Sequence, residues 1–85
     1  MNNIIGAQVV TKYGETVGDI ENLIVDPKGR ITSAIIDIGG FLGIGSKKVA
    51  IQFDKLQNIG PFYVMYPHME KRLENMPEFN PEQLG

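Results

Sequence analysis

Short apolar runs separated by glycine-containing turns constrain the fold of this chain more than any other feature. Gly14, Gly29 and the Gly60–Pro61 pair lie between the runs, and glycine tolerates the positive φ that tight turns require. Several short strands at this spacing are typical of an all-β meander, closed or partly closed. We predict strands over the ranges Ala7–Thr11, Gly18–Asp26, Arg30–Ile38, Lys48–Phe53 and Phe62–Tyr66.

Two of these runs carry further information. In Gly18–Asp26 the alternation slips at Glu21 and Asn22, ahead of a continuous apolar run, which predicts a β-bulge that also bends the strand. In Arg30–Ile38 both Ile35 and Ile36 are apolar although they face opposite sides. We therefore expect this strand to be central and covered on both faces.

Near the C-terminus the spacing of the apolar residues changes from that of a strand to that of a helix. Met69, Leu73 and Met76 fall at i, i+4 and i+7, which predicts one stripe of a short helix that ends before Pro77. Such a short helix is unstable alone in water, so its stripe must pack, most simply over the open end of the barrel. The predicted fold is all-β: a small, partly open β-barrel with a short C-terminal helix. We predict a single domain over 1–85, with the barrel at about 5–67, the helix at about 69–76 and a polar tail at 77–85.

Composition and charge exclude several classes of function. The net charge is only −2 and no cysteine is present, so neither a basic stripe for phosphate contacts nor a thiolate metal site can be proposed. Nucleic acid is therefore an unlikely partner. No apolar run approaches the ~20 residues that span a bilayer, and the N-terminus lacks the pattern of a secretory signal. We predict no membrane insertion and a cytoplasmic location.

Several segments together resemble the PRC-barrel domain family over about 5–79. The most specific is Gly39–Gly45, which reads GGFLGIG, followed by the Leu-x-Asn-x-Pro-x-Phe ending of Leu73–Phe79. The family includes the cytoplasmic domain of the H subunit of photosynthetic reaction centres and the C-terminal domain of a bacterial ribosome-maturation factor. The resemblance implies a barrel fold but no common reaction. This sequence departs from the family pattern at Gln52, where many members have proline, and at His68, where a helix-capping Ser or Thr is frequent. The second change predicts a weaker cap.

The glycine-rich segment allows two interpretations. Gly40 and Gly45 have the spacing of a phosphate-binding loop, but Ser46–Lys47 stands in the wrong order and a strand follows instead of a helix. We therefore interpret the segment as a corner at the barrel rim, in which Gly39, Gly40 or Gly43 takes a positive φ. The structural glycines predicted here are Gly39, Gly40, Gly43 and Gly45, and the candidate interaction loop consists of the apolar residues Phe41, Leu42 and Ile44.

Catalytic interpretations have little support in the sequence. Asp19 and Glu21 are predicted on a solvated strand face, and Asp37 at a barrel end is expected to bind backbone amides. His68 has no orienting carboxylate or nucleophile that the sequence can place, and Ser46 has no triad partner. We predict no catalytic, cofactor-binding or metal-binding residue and no enzyme activity.

The function predicted from these observations is a non-catalytic protein–protein interaction or assembly module, an adaptor whose partner is another protein. A homodimer is a further possibility, because a partly open barrel leaves strand edges that need covering. Two alternatives stay open: a small-ligand or metal-ion sensor with a pocket at the barrel mouth, and an accessory protein associated with RNA or the ribosome.

Overall fold

The computed structural model describes residues 4–39 and 46–80, and within them the chain forms one twisted sheet. The strands follow the order β4-β3-β2-β1-β6-β5. β1 to β4 form an antiparallel meander, and the β5–β6 hairpin joins the other side of β1 through a parallel β1–β6 pair. The elements are β1 (Gln8–Thr11), β2 (Thr16–Val25), β3 (Ile31–Ile38), β4 (Lys47–Gln52), a 3-10 helix (Phe53–Lys55), β5 (Gln57–Gly60), β6 (Tyr63–Tyr66) and α1 (Glu70–Glu74).

This architecture confirms the predicted fold class, a small and partly open all-β barrel with a short helix. The predicted strands are present with ends shifted by one or two residues. Gln57–Gly60, however, was not predicted as a strand. Among residues 4–39 and 46–80 it is an edge strand paired with β6 alone, and its side chains are mostly exposed. It therefore lacks the apolar alternation on which strand prediction depends. None of the helices in the described ranges has the length and apolar character that a membrane crossing requires.

The bulge predicted in the second strand is present. The β2–β3 register shifts between Ile20 and Asn22, which leaves Glu21 without a partner on β3. This extra residue allows Ile20 to stay in the core while β2 bends around the barrel.

The core lies on the concave face of the sheet. On β3, Ala34, Ile36 and Ile38 are fully buried in it, and Ile35 on the opposite face is only 4% exposed. Burial on both faces agrees with the predicted covering on two sides, but β3 is not central: it is an interior strand, second in the sheet order beside the edge strand β4. Each large aliphatic side chain of this kind stabilises the fold by roughly 1.5–3 kcal/mol. The other core members are Ala7, Val9, Val17, Ile20, Val49, Ile51, Val64, Tyr66 and Leu73.

Glycine is required at two of the predicted turns. Gly14 has φ +87° and Gly29 has φ +82°, in a region that residues with a Cβ rarely adopt. At the second turn the Asp26 carboxylate accepts hydrogen bonds from the backbone N–H of Lys28 and of Arg30, each at 2.9 Å. The Arg30 bonds hold the pKa of Asp26 below its usual value.

The helix stripe is only partly as predicted. Leu73 is fully buried in the barrel core and Met76 packs against it. Met69, in contrast, is 57% exposed. Its φ of −72° and ψ of 155° are extended, so it precedes α1 instead of belonging to its buried face. The prediction for Met69 is therefore wrong, because the helix begins one residue later than the periodicity suggests.

The start of α1 is held by a residue from a distant turn. The N-cap position is Met69 and not His68, where the sequence placed the cap, and no side chain at Met69 bonds the first helical turn. Instead, Glu15 Oε1 accepts a hydrogen bond from the backbone N–H of Glu70 at 3.1 Å and another from the Thr11 hydroxyl at 3.0 Å. Glu15 thus joins the β1–β2 turn to the helix.

Replacing Glu15 by alanine is expected to lower the free energy of unfolding by about 1 kcal/mol, because the Glu70 N–H loses its acceptor. Glu15→Gln keeps an acceptor oxygen at the same reach and should cost less than half as much. Urea denaturation of the two variants beside wild type provides the measurement. Unchanged stability of Glu15→Ala would show that water replaces the carboxylate without loss.

The residues after α1 turn back onto β4. The backbone N–H of Phe79 donates to the carbonyl oxygen of Lys48 at 2.6 Å, and the Lys47 ammonium donates to the carbonyl of Glu74 at 2.6 Å. The outer side of β4, one edge of the sheet, is therefore partly occupied by the chain's own C-terminal segment.

Candidate interaction surfaces

The interaction loop predicted from sequence lies outside the described residues. This applies to Phe41, Leu42 and Ile44 and to the glycines at 40, 43 and 45. Gly39 is described: it is exposed, its φ is not positive, and no atom lies within 4 Å of a Cβ placed on it. Gly39 is therefore not the residue of this segment that adopts the predicted positive φ.

The carboxylates lie beside a lysine and do not converge on one pocket. Asp19 and Asp37 are cross-strand partners on β2 and β3, and Asp37 pairs with Lys48 on β4. The Lys48 ammonium bonds the Glu21 carboxylate at 2.9 Å, and this contact raises the Lys48 pKa. Asp37 Oδ1 is buried and has no hydrogen-bond partner, so the predicted bonding to backbone amides is not found at this atom. The described residues contain no group of three or more His, Asp or Glu side chains placed to hold a metal ion.

His68 lies among cations. Its ring packs edge-on against Tyr66, with the ring centroids 5.4 Å apart. Partial burial lowers the pKa of His68, and the charges of Arg72, Lys12 and Lys55 lower it further. A general base would be oriented by a carboxylate, which raises the pKa, so this environment does not resemble that of a catalytic histidine.

A groove of about 430 Å³ lies beside β2, β3 and β4. Leu23, Ile24 and Ile35 provide apolar lining, and Phe79 contributes from the C-terminal segment. The Lys48–Glu21 ion pair belongs to the same groove. Its volume falls within the range of small-ligand sites.

The β5–β6 hairpin exposes large apolar side chains. Phe62 is 71% exposed, and Ile59 and Tyr63 of the same hairpin are also exposed. Ile5, which shortly precedes β1, the strand beside β6, is exposed as well. We call this set the hairpin patch: Ile5, Ile59, Phe62 and Tyr63.

The hairpin patch adjoins a strand edge. Within the described residues, β5 is the last strand in the sheet order and bonds to β6 alone, so one side of its backbone faces no strand of that part of the chain. Its sequence, Gln57-Asn58-Ile59-Gly60, contains neither the charged residues nor the proline by which edge strands commonly resist pairing. A strand edge and apolar side chains thus occur together at this end of the molecule.

Sequence reasoning missed this surface, although one local signal for it exists. Phe62 directly follows Gly60–Pro61, and residues in connecting turns usually lie at the protein surface. The position of β5 at the edge could not be deduced, because it depends on the parallel β1–β6 pair, which joins residues far apart in sequence.

Comparison with known proteins agrees with this architecture. The sequence model of the PRC-barrel domain matches residues 1–73, most of the 85-residue chain. The chain therefore belongs to the PRC-barrel family, which confirms the resemblance found in its sequence. No curated protein matches it significantly.

Proposed function

We propose that this PRC-barrel chain is a non-catalytic interaction module that binds another polypeptide at the hairpin patch. The observation that carries the proposal is the exposure of Phe62 and its apolar neighbours beside the edge of β5. Contiguous exposed apolar residues commonly mark sites of protein association.

The energetics favour such a contact. Burying the exposed part of the Phe62 ring would contribute roughly 2–3 kcal/mol, and aromatic anchors that exclude water dominate many interfaces. The N–H and C=O groups along the outer side of β5 could pair with an added strand, as in recognition by β-augmentation. The ligand that fits both features is an extended segment with apolar side chains. A second copy of this chain, through its own β5, could supply it.

The absence of catalysis is part of the proposal. Of the residues weighed for chemistry, Ser46 is exposed, His68 is surrounded by cations, and Glu21 is engaged by Lys48. Their separate locations support a binding role over a reaction. The small-ligand alternative would depend on the groove of about 430 Å³ beside β2–β4, on a different part of the surface.

Phe62→Asp is expected to leave the fold intact, because the ring is mostly in solvent, and to weaken association about tenfold or more, which corresponds to ~1.4 kcal/mol. Val25→Asp is the matched control, since Val25 is 56% exposed on β2 outside the hairpin patch. Sedimentation measures self-association, and a pull-down from native cells measures capture of other proteins. In at least one of these assays Phe62→Asp should associate more weakly than Val25→Asp.

If Phe62→Asp is folded and retains the mass and the captured proteins of wild type, the hairpin patch is not the binding surface. The same conclusion would follow if Val25→Asp weakened association as much as Phe62→Asp does. Phe41→Asp and Leu42→Asp, tested in parallel, would then show whether the candidate interaction loop takes this role.

A further inference from the structure

A second surface of the molecule is strongly basic. A concavity of about 710 Å³, open to solvent, lies between the β1–β2 turn and α1, with Lys12 and Tyr13 on one side and Lys71 on the other. A smaller concavity of about 310 Å³ reaches Lys55. Both are lined by His68 and Arg72, so the two concavities are adjacent. We call the two together the basic groove.

The cations of the basic groove come from separate elements and are not neutralised there. Lys12 belongs to the β1–β2 turn, Lys55 to the 3-10 helix, and Lys71 and Arg72 to α1. Neither concavity is lined by an aspartate or glutamate. Within the described ranges none of these four cations forms an ion pair, whereas Arg30 and Lys48 elsewhere on the surface do.

The carboxylates near the basic groove take part in other interactions. Glu15 holds the N-terminus of α1 through the Glu70 N–H. Burial raises the pKa of Glu70, and the charges of Glu74 and Glu15 raise it further, so these acids lie close to one another. None of these carboxylates lines either concavity.

His68 lies close enough to the cations of the groove to be affected by their charge. His68 lines both concavities. Burial is the largest cause of its lowered pKa, and the charges of Arg72, Lys12 and Lys55, from three different elements, lower it further. Their positive potentials therefore converge within the groove. A concave surface with one sign of charge concentrates ligands of the opposite sign.

We propose that the basic groove binds an extended, acidic segment of a polypeptide. In an extended chain, alternate side chains lie about 6.6 Å apart on the same side, so several carboxylates of one segment can meet cations distributed along the groove. Tyr13, which is mostly exposed, adds aromatic surface for the stems of such side chains. This site is separate from the hairpin patch and does not depend on the function proposed for it.

The charge of the whole chain favours a peptide over a nucleic acid. The net charge is −2, which repels a long polyanion, and nucleic-acid binding typically uses ~6–10 phosphate contacts. A peptide with a few carboxylates requires only the few cations present. Its binding should weaken with added salt, since exposed charges are screened within about 10 Å at 0.1 M salt.

The test uses a fluorescent peptide of alternating glutamate and serine, titrated with the full chain at low ionic strength. The double variant Lys12→Gln/Arg72→Gln is expected to bind about tenfold more weakly than wild type, because two contacting charges are lost. Lys28→Gln/Arg30→Gln removes the same charge from the exposed β2–β3 turn and should bind within about twofold of wild type. Phe62→Asp should bind as wild type does.

Histidine NMR signals locate the peptide directly. Bound carboxylates should shift the His68 ring resonances and raise the His68 pKa, since a nearby opposite charge favours the protonated form. Equal losses in the two double variants, or no change at His68 when the peptide binds, would overturn the proposal. So would tighter binding of a single-stranded oligoribonucleotide of equal charge.

Discussion

Replacing Leu73 by alanine is expected to lower the free energy of unfolding by about 3 kcal/mol, within the usual range for a buried leucine. Leu73 is completely buried and belongs to the same cluster as core residues from several strands, such as Val9 and Ile36. Its removal leaves a cavity where the helix covers the barrel. A domain of this size has a total stability of roughly 4–13 kcal/mol, so the loss is a large share. Urea denaturation monitored by circular dichroism gives the value.

Met69→Ala is the control for this experiment. The side chain is mostly exposed and lies just before α1, so its loss should change stability by less than about 0.5 kcal/mol. If Leu73→Ala has the same denaturation midpoint as Met69→Ala, then α1 is not docked in solution. The assignment of Leu73 to the core would then be wrong.

Gly18→Ala is expected to destabilise the protein by about 2–3 kcal/mol, the cost of forcing an extra carbon into a filled space. Gly18 lies on β2 opposite Ile38 of β3. A Cβ at this position would overlap the carbonyl oxygen of Asp37 and lie 2.9 Å from its carbonyl carbon. The obstacle is backbone in the middle of a strand pair, so no side-chain rotation can relieve it.

Gly39→Ala separates this steric effect from the general effect of losing a glycine. Gly39 follows β3 directly, has no positive φ, and has open space around its missing Cβ. Alanine there should change the free energy of unfolding by less than about 1 kcal/mol. A small increase in stability is expected, because alanine reduces the conformational entropy of the unfolded chain. Thermal unfolding of both variants checks the contrast. Equal effects at the two positions would contradict the close approach of β2 and β3.

Local patterns in the sequence predicted most of the fold. The slip at Glu21 located the bulge, the isoleucines of β3 indicated burial on both faces, and Gly14 and Gly29 indicated turns that need a positive φ. Each of these signals depends on residues within one or two elements. For that reason they could be interpreted without knowing the tertiary structure.

The features that were not predicted depend on contacts between distant segments. Gly18 looked like an ordinary start of a strand, because only the approach of Asp37 shows why a glycine is needed. Glu15 could not be recognised as the residue that holds α1, since 55 positions separate it from Glu70. The basic groove was missed for the same reason: its cations are scattered along the chain, and an overall charge balance conceals them.

The bond between Phe79 and Lys48 has a consequence for how copies of this protein can assemble. If both edges of the sheet were free, β4 of one copy could pair with β5 of the next, and the same contact would repeat without limit into a filament. The C-terminal segment occupies β4 at Lys48, which obstructs that head-to-tail contact. Copies that paired through β5 would use the same edge on both partners, and such pairing would close after two copies. In any assembly of this kind the segment around Phe79 would favour a finite number of copies over an open-ended filament.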